Sequence, residues 1–303
     1  MALALRMPSK IWKIITVLRG KPSYIFGRFA AFRSGYSKVK HLRQKIMGAG
    51  PIEIGDLYRP ATGILEIADS GLLVSNVPAE RQVAELRTLS YSLQPHLTAD
   101  AVEKLRDYAK TMPLTAQTAD DAGVFTYDQA SSSPELRSRV AMAFIANSSE
   151  CPLVRKLAAD PLLYDVVSQF MGYRPERVSS WLFWSFANNL SPQERRARNQ
   201  TIDFHYDVHG VNFMYVNFYL VDTDSRSGAH VLIEGSSKRK LVRNLMSFSV
   251  RLSDAEAVEQ YGGRAVRAIE APAGFGFFED TSCYHKALAP VDRDRLMLQL
   301  RYQ

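Results

Sequence analysis

The sequence predicts an α+β fold in which a helical first half leads into a small antiparallel sandwich or barrel. Two observations predict it. From about residue 95 to 175 the apolar residues recur at helical spacing behind capping signals; after Pro175 the texture becomes short β-rich runs split by Gly, Asp and Ser. No Gly/Ser- or Pro-rich linker and no internal repeat divides the 303 residues, so one main domain at about 51–303 with an appended segment at 1–50 is expected.

In the helical part, about 95–175, Thr98 precedes Ala-Asp-Ala-Val-Glu-Lys-Leu as an N-cap, and Ala101, Leu105 and Tyr108 then share a face. Pro134-Glu135 opens a second helix, expected to run through Val140, Ala143 and Phe144. A third is read from Leu153 to Met171, with Gly172 as its stop. From about 176 to 303 the expected strands are Ser180–Ala187, Ile202–Asp207, Phe213–Val221, His230–Glu234, Ala265–Glu270, Gly276–Glu279 and Leu296–Tyr302.

Charge is distributed unevenly. The chain carries +7, yet Met1 to Ile52 contains eleven Lys and Arg and no acidic residue, which leaves the remainder at −4. Lys10, Lys13 and Arg19 interrupt Ile11–Leu18, arguing against a secretory signal or a membrane-spanning helix. Cations interleaved with Trp12, Ile14, Tyr24, Phe26 and Phe32 suit an anionic membrane surface, or equally a helix packed on the body with a solvated basic face. Nucleic acid is not expected, because no binding motif accompanies the charge. Cys151 and Cys283 are far apart in the chain, which favours a reducing, cytoplasmic setting in which both are small buried apolar groups. Cys283, two residues before His285, would share that residue's face in a strand.

The chemistry is carried by Phe204-His205-Tyr206-Asp207-Val208-His209. In an extended strand His205 and Asp207 lie on one face, with His209 following if the strand continues. An imidazole beside a carboxylate suits a divalent first-row metal, and two histidines plus one carboxylate on one side of an ion form the non-haem Fe(II) oxygenase triad. His285 lies far enough along to return as the third ligand from another strand, and His209 is its rival. Ten residues after His285 stands Arg295, a cation suited to the distal carboxylate of a 2-oxoglutarate co-substrate, with Arg293 and Arg301 nearby as competitors. His230 reads as structural. Trp181, Trp184 and Phe186 read as core, and Asn188 and Asn189 are weak candidates for substrate contact. The Ser191–Gln200 segment, with Arg195, Arg196 and Arg198, reads as a solvated loop, or alternatively as a lid over an anionic substrate.

From about Leu97 onward the sequence resembles the phytanoyl-CoA dioxygenase-like branch of the Fe(II)/2-oxoglutarate oxygenases. The resemblance rests on His205-Tyr206-Asp207, Val216–Asp222, Gly228–Ser237, His285 with Arg295, and the Leu-Ala-Ala-Asp-Pro run in Leu153–Gly172. It implies a double-stranded β-helix, a jelly-roll or cupin-like fold, with helices packed outside. It further implies iron on His205, Asp207 and His285, and 2-oxoglutarate on Arg295. The activity implied is a dioxygenase that couples decarboxylation of 2-oxoglutarate, with dioxygen, to hydroxylation of an aliphatic carbon of a small molecule. Related halogenases lack the carboxylate ligand; Asp207 is present, so hydroxylation is expected. Where family members commonly carry Pro-Gly-Ser-His, this chain has Glu234-Gly235-Ser236-Ser237, a departure on the substrate side. A cupin-like metal enzyme without 2-oxoglutarate and a non-catalytic jelly-roll scaffold are the alternatives. A lipid or lipid-linked substrate would fit a membrane-surface enzyme with residues 1–45 in contact with the bilayer; acyl-CoA thioesters and natural products fit the family equally.

Overall fold

The computed structural model describes residues 26–57, 59–118, 122–208, 210–247 and 249–303. His209 therefore lies outside the described residues, as does the chain ahead of Phe26. A helix, Ala30–Met47, leads into β1 (Ile52–Asp56), β2 (Ala61–Leu65) and β3 (Leu73–Val74). Strands β4 (Tyr91–Ser92), β5 (His96–Leu97), β6 (Leu114–Ala116), β7 (Val124–Phe125) and β8 (Met142–Ile145) alternate with helices Ala79–Leu89, Ala99–Thr111, Tyr127–Ser132 and Pro134–Arg139. Helices Pro152–Ala158 and Pro161–Met171 precede β9 (Arg177–Ser185), β10 (Phe204–His205), β11 (Met214–Tyr219) and β12 (His230–Ile233). The chain closes through β13 (Arg251–Leu252), β14 (Val266–Ile269), β15 (Gly276–Glu279), β16 (His285–Ala287) and β17 (Arg295–Tyr302).

Two sheets dominate. One has ten strands along the path β4-β15-β11-β17-β9-β8-β6-β7, with β1 and β2 attached at β9; the other has five, β13-β10-β16-β12-β14. Every pairing is antiparallel except that of β1 with β9. The period of two along each central strand sorts its side chains between two environments. In β17, Leu296, Leu298, Leu300 and Tyr302 join the core shared with the helices, as do Val178, Leu182 and Trp184 of β9 and Met214, Val216 and Phe218 of β11. The intervening residues face the second sheet, where Phe183, Tyr219, Leu232, Ile269, Phe277, Cys283 and Met297 pack together. On the outer side of the five-stranded sheet, Phe204, Tyr206, Val231, Ile233 and Tyr284 pack with Leu252 and Ala257.

Local chemistry explains most element boundaries. Thr98 caps the Ala99–Thr111 helix, its hydroxyl accepting from the Ala101 amide. Gly172, left-handed at φ 77°, ends the Pro161–Met171 helix. Two expectations are corrected. Val140, Ala143 and Phe144 do not continue a helix; Met142–Ile145 is a strand paired to β9 and β6. The single helix read from Leu153 to Met171 is two, because Pro161 has no amide hydrogen to continue the first and instead opens the second behind the Asp160 cap.

The N-terminal helix is tied to the body by polar contacts. Glu176 accepts from Lys40 Nζ at 2.8 Å, Gln44 Nε2 at 3.2 Å and the Gly50 amide at 3.3 Å. The hydrogen bond from Lys40 chiefly pulls the Glu176 carboxyl down from 4.5 to about 2, with Gln44 and Gly50 adding to it. A depressed carboxylate stabilises fully above its unfolded value of 4.5, and that stabilisation fades as pH falls through about 2. Hydrogen exchange should therefore show Ala30–Met47 loosening across this acid window, and Glu176→Gln should loosen the same helix at neutral pH.

Candidate metal centre

His205 and His285 face each other across antiparallel β10 and β16 as direct register partners, with ring centroids 4.4 Å apart. Asp207 follows just beyond β10, its amide donating to the Thr281 carbonyl at 3.0 Å, which sets the carboxylate between the two rings. Its oxygens lie 3.8 Å from His205 Nε2 and 3.9 Å from His285 Nε2. One donor atom from each residue falls within 4.8 Å of the others, so two imidazoles and a carboxylate converge on one point. This donor set suits a divalent first-row ion and leaves one side of it open.

The outer nitrogens are anchored. His205 Nδ1 lies 3.1 Å from the Asp203 carbonyl, and His285 Nδ1 lies 3.1 Å from the Cys283 carbonyl and 3.0 Å from Glu279 Oε1. With Nδ1–H held by these acceptors, the lone pair on Nε2 points to the shared centre. Burial, helped by the neighbouring His285, lowers His205 to about 4, so its ring is neutral and able to ligate at physiological pH. At His285 burial opposes protonation, but Glu279 and then Asp207 outweigh it and raise its pKa.

Glu279, fully buried, was not singled out from the sequence. Its second oxygen lies 3.2 Å from His230 Nε2 and accepts from Asn217 Nδ2 at 3.3 Å. Gln299 Nε2 in turn donates to Asn217 Oδ1 at 2.8 Å. Burial would push the Glu279 carboxyl up, yet His230 and His285 hold it down at about 2. His230 stacks on His285 at 5.4 Å, so it braces the centre through Glu279. The signal was present, since Glu279 is a lone charge ending the otherwise apolar strand β15. Cys283 packs against the same carboxylate, Sγ to Oε1 at 3.6 Å, and burial pushes its thiol well up.

Arg295 enters the same cavity from β17 at 2% exposure. Its guanidinium donates to the Gly228 carbonyl at 2.6 Å and to Ser185 Oγ at 3.2 Å, while Nε has no partner. No carboxylate among the described residues pairs with it. A buried, unmatched cation beside a divalent-ion donor set is suited to an anionic ligand. Arg293, by contrast, is exposed and paired with Asp224. The cavity, about 490 Å³, is walled by Trp181, Phe183, Met142 and Met297 on its apolar side and by Tyr215 and Gln299 on its polar side.

Other candidates fall outside this centre. Asn188 is taken up by the Arg137 and Val140 carbonyls and by Arg195. The Ser191–Gln200 segment is built around a short helix, Pro192–Ala197, whose buried Arg195 binds Asn188, Leu190, Gln200 and Pro290. It is pinned on its Arg195 side; Arg196 and Arg198 bind Asp203 and the Arg139 carbonyl.

No family model matches the chain, and no curated protein matches it. Solved structures do. SnoK, a non-haem α-ketoglutarate-dependent carbocyclase from nogalamycin biosynthesis, superposes with TM-score 0.52 at 14% identity, covering 78% of this chain and 85% of its own. HygX from Streptomyces hygroscopicus, solved with nickel and 2-oxoglutarate, gives 0.48 at 13% identity over 75% and 87%. This chain shares the fold of SnoK.

Removing one partner from a buried ionic network leaves the other charges uncompensated. Glu279→Leu is expected to cost about 3–5 kcal/mol, and Glu279→Gln, which keeps shape and hydrogen-bonding capacity, markedly less. Urea unfolding of the metal-free proteins measures both.

Proposed function

We propose that this chain is a non-haem Fe(II) oxygenase that uses 2-oxoglutarate and dioxygen to hydroxylate an aliphatic carbon of a small molecule. In this reading His205, Asp207 and His285 hold the iron and Arg295 holds the distal carboxylate of 2-oxoglutarate. The observation that carries it is the meeting, in one cavity, of a two-histidine, one-carboxylate donor set with a buried guanidinium that no carboxylate among the described residues matches. The two facing sheets are then the double-stranded β-helix of such enzymes, with residues 51–303 as the oxygenase domain and 1–50 as an extension.

Iron bound there supplies the oxidising chemistry, coupling decarboxylation of the oxoacid to attack on an unactivated carbon. The chain's own groups do the rest. His205 is neutral at the working pH and needs no proton removed before it ligates. Glu279 accepts the Nδ1 hydrogen of His285, fixing its tautomer and ring plane. Arg295, held by Gly228 and Ser185, offers its remaining donors to a carboxylate. Trp181, Phe183 and Met297 exclude water from the apolar side and suit an aliphatic substrate. A lipid or lipid-linked molecule, met at a membrane surface from the cytoplasm, is the substrate class that joins this apolar wall to the basic N-terminal segment.

Anaerobic titration with Fe(II) in the presence of 2-oxoglutarate tests the reading. A weak visible metal-to-ligand charge-transfer band should appear in the native protein and vanish in His205→Ala and Asp207→Ala. Arg295→Leu should keep iron but weaken 2-oxoglutarate by about 100-fold, the worth of two charge-assisted hydrogen bonds. Iron binding without the band would favour a cupin-like enzyme that does not use 2-oxoglutarate; no iron binding would favour a scaffold. Glu279→Gln should lower iron affinity by about 10–100-fold through the orientation of His285, read directly as a dissociation constant.

A further inference from the structure

The Ala30–Met47 helix has two dissimilar faces. One is committed to the body: Arg33 reaches Asp280 at 3.3 Å, Tyr36 packs edge-on against Tyr173, Ser37 accepts from Asn212, and Lys40 and Gln44 engage Glu176. The other carries Phe32, Val39, Leu42 and Ile46, spaced to form one stripe. These four are 52%, 69%, 57% and 74% exposed, and the helix buries no residue fully. At 100° per residue, Lys38 and Lys45 border the stripe on one side and Arg43 on the other, all three exposed. Among the described residues Lys38 and Lys45 form no ion pair, and the contact of Arg43 with Glu176 is long, at 3.7 Å.

The surface continues beyond the helix. Arg28, in the turn ahead of it, donates to the carbonyls of Leu245 and Ser247. That segment carries Val242 and Met246, one helical turn apart and 74% and 70% exposed, and it leads into Val250 and Arg251 on the wall of the metal-centre cavity. Beside the helix lies a cleft of about 610 Å³ lined by Arg33, Lys38, His41, Arg87 and Lys238; its sole acidic lining residue, Asp280, is already bound by Arg33. Ahead of Phe26 the sequence adds five further Lys and Arg and no acidic residue.

We propose that this face docks on an anionic lipid bilayer, with the Phe32–Ile46 stripe in the headgroup–acyl boundary and the flanking cations on the lipid phosphates. Apolar residues bordered by cations along a surface helix match the two attractions such a membrane offers. A second copy of the chain matches poorly, because a two-fold contact along the stripe would bring the bordering cations Lys38, Arg43 and Lys45 of both copies together. Nucleic acid would leave the aliphatic stripe in water. Among the described residues no helix is long and apolar enough to cross a membrane. The proposal does not rest on the metal reading.

Co-sedimentation of the full chain with vesicles tests it. Binding should be strong on phosphatidylcholine containing phosphatidylserine, weak on phosphatidylcholine alone, and reduced by salt. Two exposed-site double variants, Leu42→Gln with Ile46→Gln and Lys38→Glu with Lys45→Glu, should each lower partitioning by about 10-fold or more. Both should keep the native thermal unfolding curve. Absence of binding, equal binding to the two vesicle types, or full binding by both variants would overturn the proposal. So would self-association of the native chain in sedimentation equilibrium that the Leu42→Gln, Ile46→Gln variant abolishes, which would assign the stripe to a second copy.

Discussion

The carboxylate of Glu279 lies where the two sheets meet, with no exposed surface and with an imidazole on either side. In that setting an ionised carboxylate survives only if its neighbours are polar and close, and His230, His285 and Asn217 lie within 3.2, 3.0 and 3.3 Å of its oxygens. The consequence runs outward. His285 is held by its outer nitrogen, so its inner one is committed to the point shared with His205 and Asp207. His230 is held flat against His285. Asn217, and through it Gln299, ties the same carboxylate to the cavity wall formed by β11 and β17. Loss of this carboxylate would release three elements from two sheets at once.

The constraint works because the central strands alternate strictly between the helix-facing core and the space between the sheets. β17 sends four apolar residues toward the helices and Arg295, Met297 and Gln299 toward the cavity. A one-residue slip against β9 would turn Arg295 toward Trp184 and the helix-facing core and turn leucines toward the cavity. The apolar contacts with the helices therefore specify register, and register delivers the guanidinium. Stability and chemistry are separate faces of one strand.

Much of the centre was legible because its members are close in sequence or chemically distinctive. His205 and Asp207 are two residues apart, and the chain has six histidines in all, so His285 stood out as a possible return ligand. Arg295 was legible as a cation opening an apolar strand. Glu279 was not recognised: a lone charge ending an apolar strand marks the position, but its role depends on which sheet faces which. Val140, Ala143 and Phe144 satisfied helical spacing and so concealed a strand whose pairing with β9 and β6 is long-range. The arginines of Ser191–Gln200 read as solvated by composition, yet Arg195 is buried where five acceptors converge on it from Asn188, Leu190, Gln200 and Pro290.

Arg295 and Glu279 present opposite solutions to the same electrostatic problem. Both are charged and buried in the space between the sheets. Glu279 is compensated wholly from within, and its environment holds it ionised. Among the described residues Arg295 meets the neutral acceptors Gly228 and Ser185 and the ring of Phe183 but no carboxylate; burial lowers its pKa and one nitrogen is left without a partner. Of two charges buried between the same sheets, one is met by its neighbours and the other is left short, which on the function proposed above suits Arg295 to an anionic ligand. The deficit at Arg295 is one positive charge facing a cavity that already holds a donor set for a divalent cation. On the function proposed above, 2-oxoglutarate is the anion that would meet the metal point and the guanidinium together.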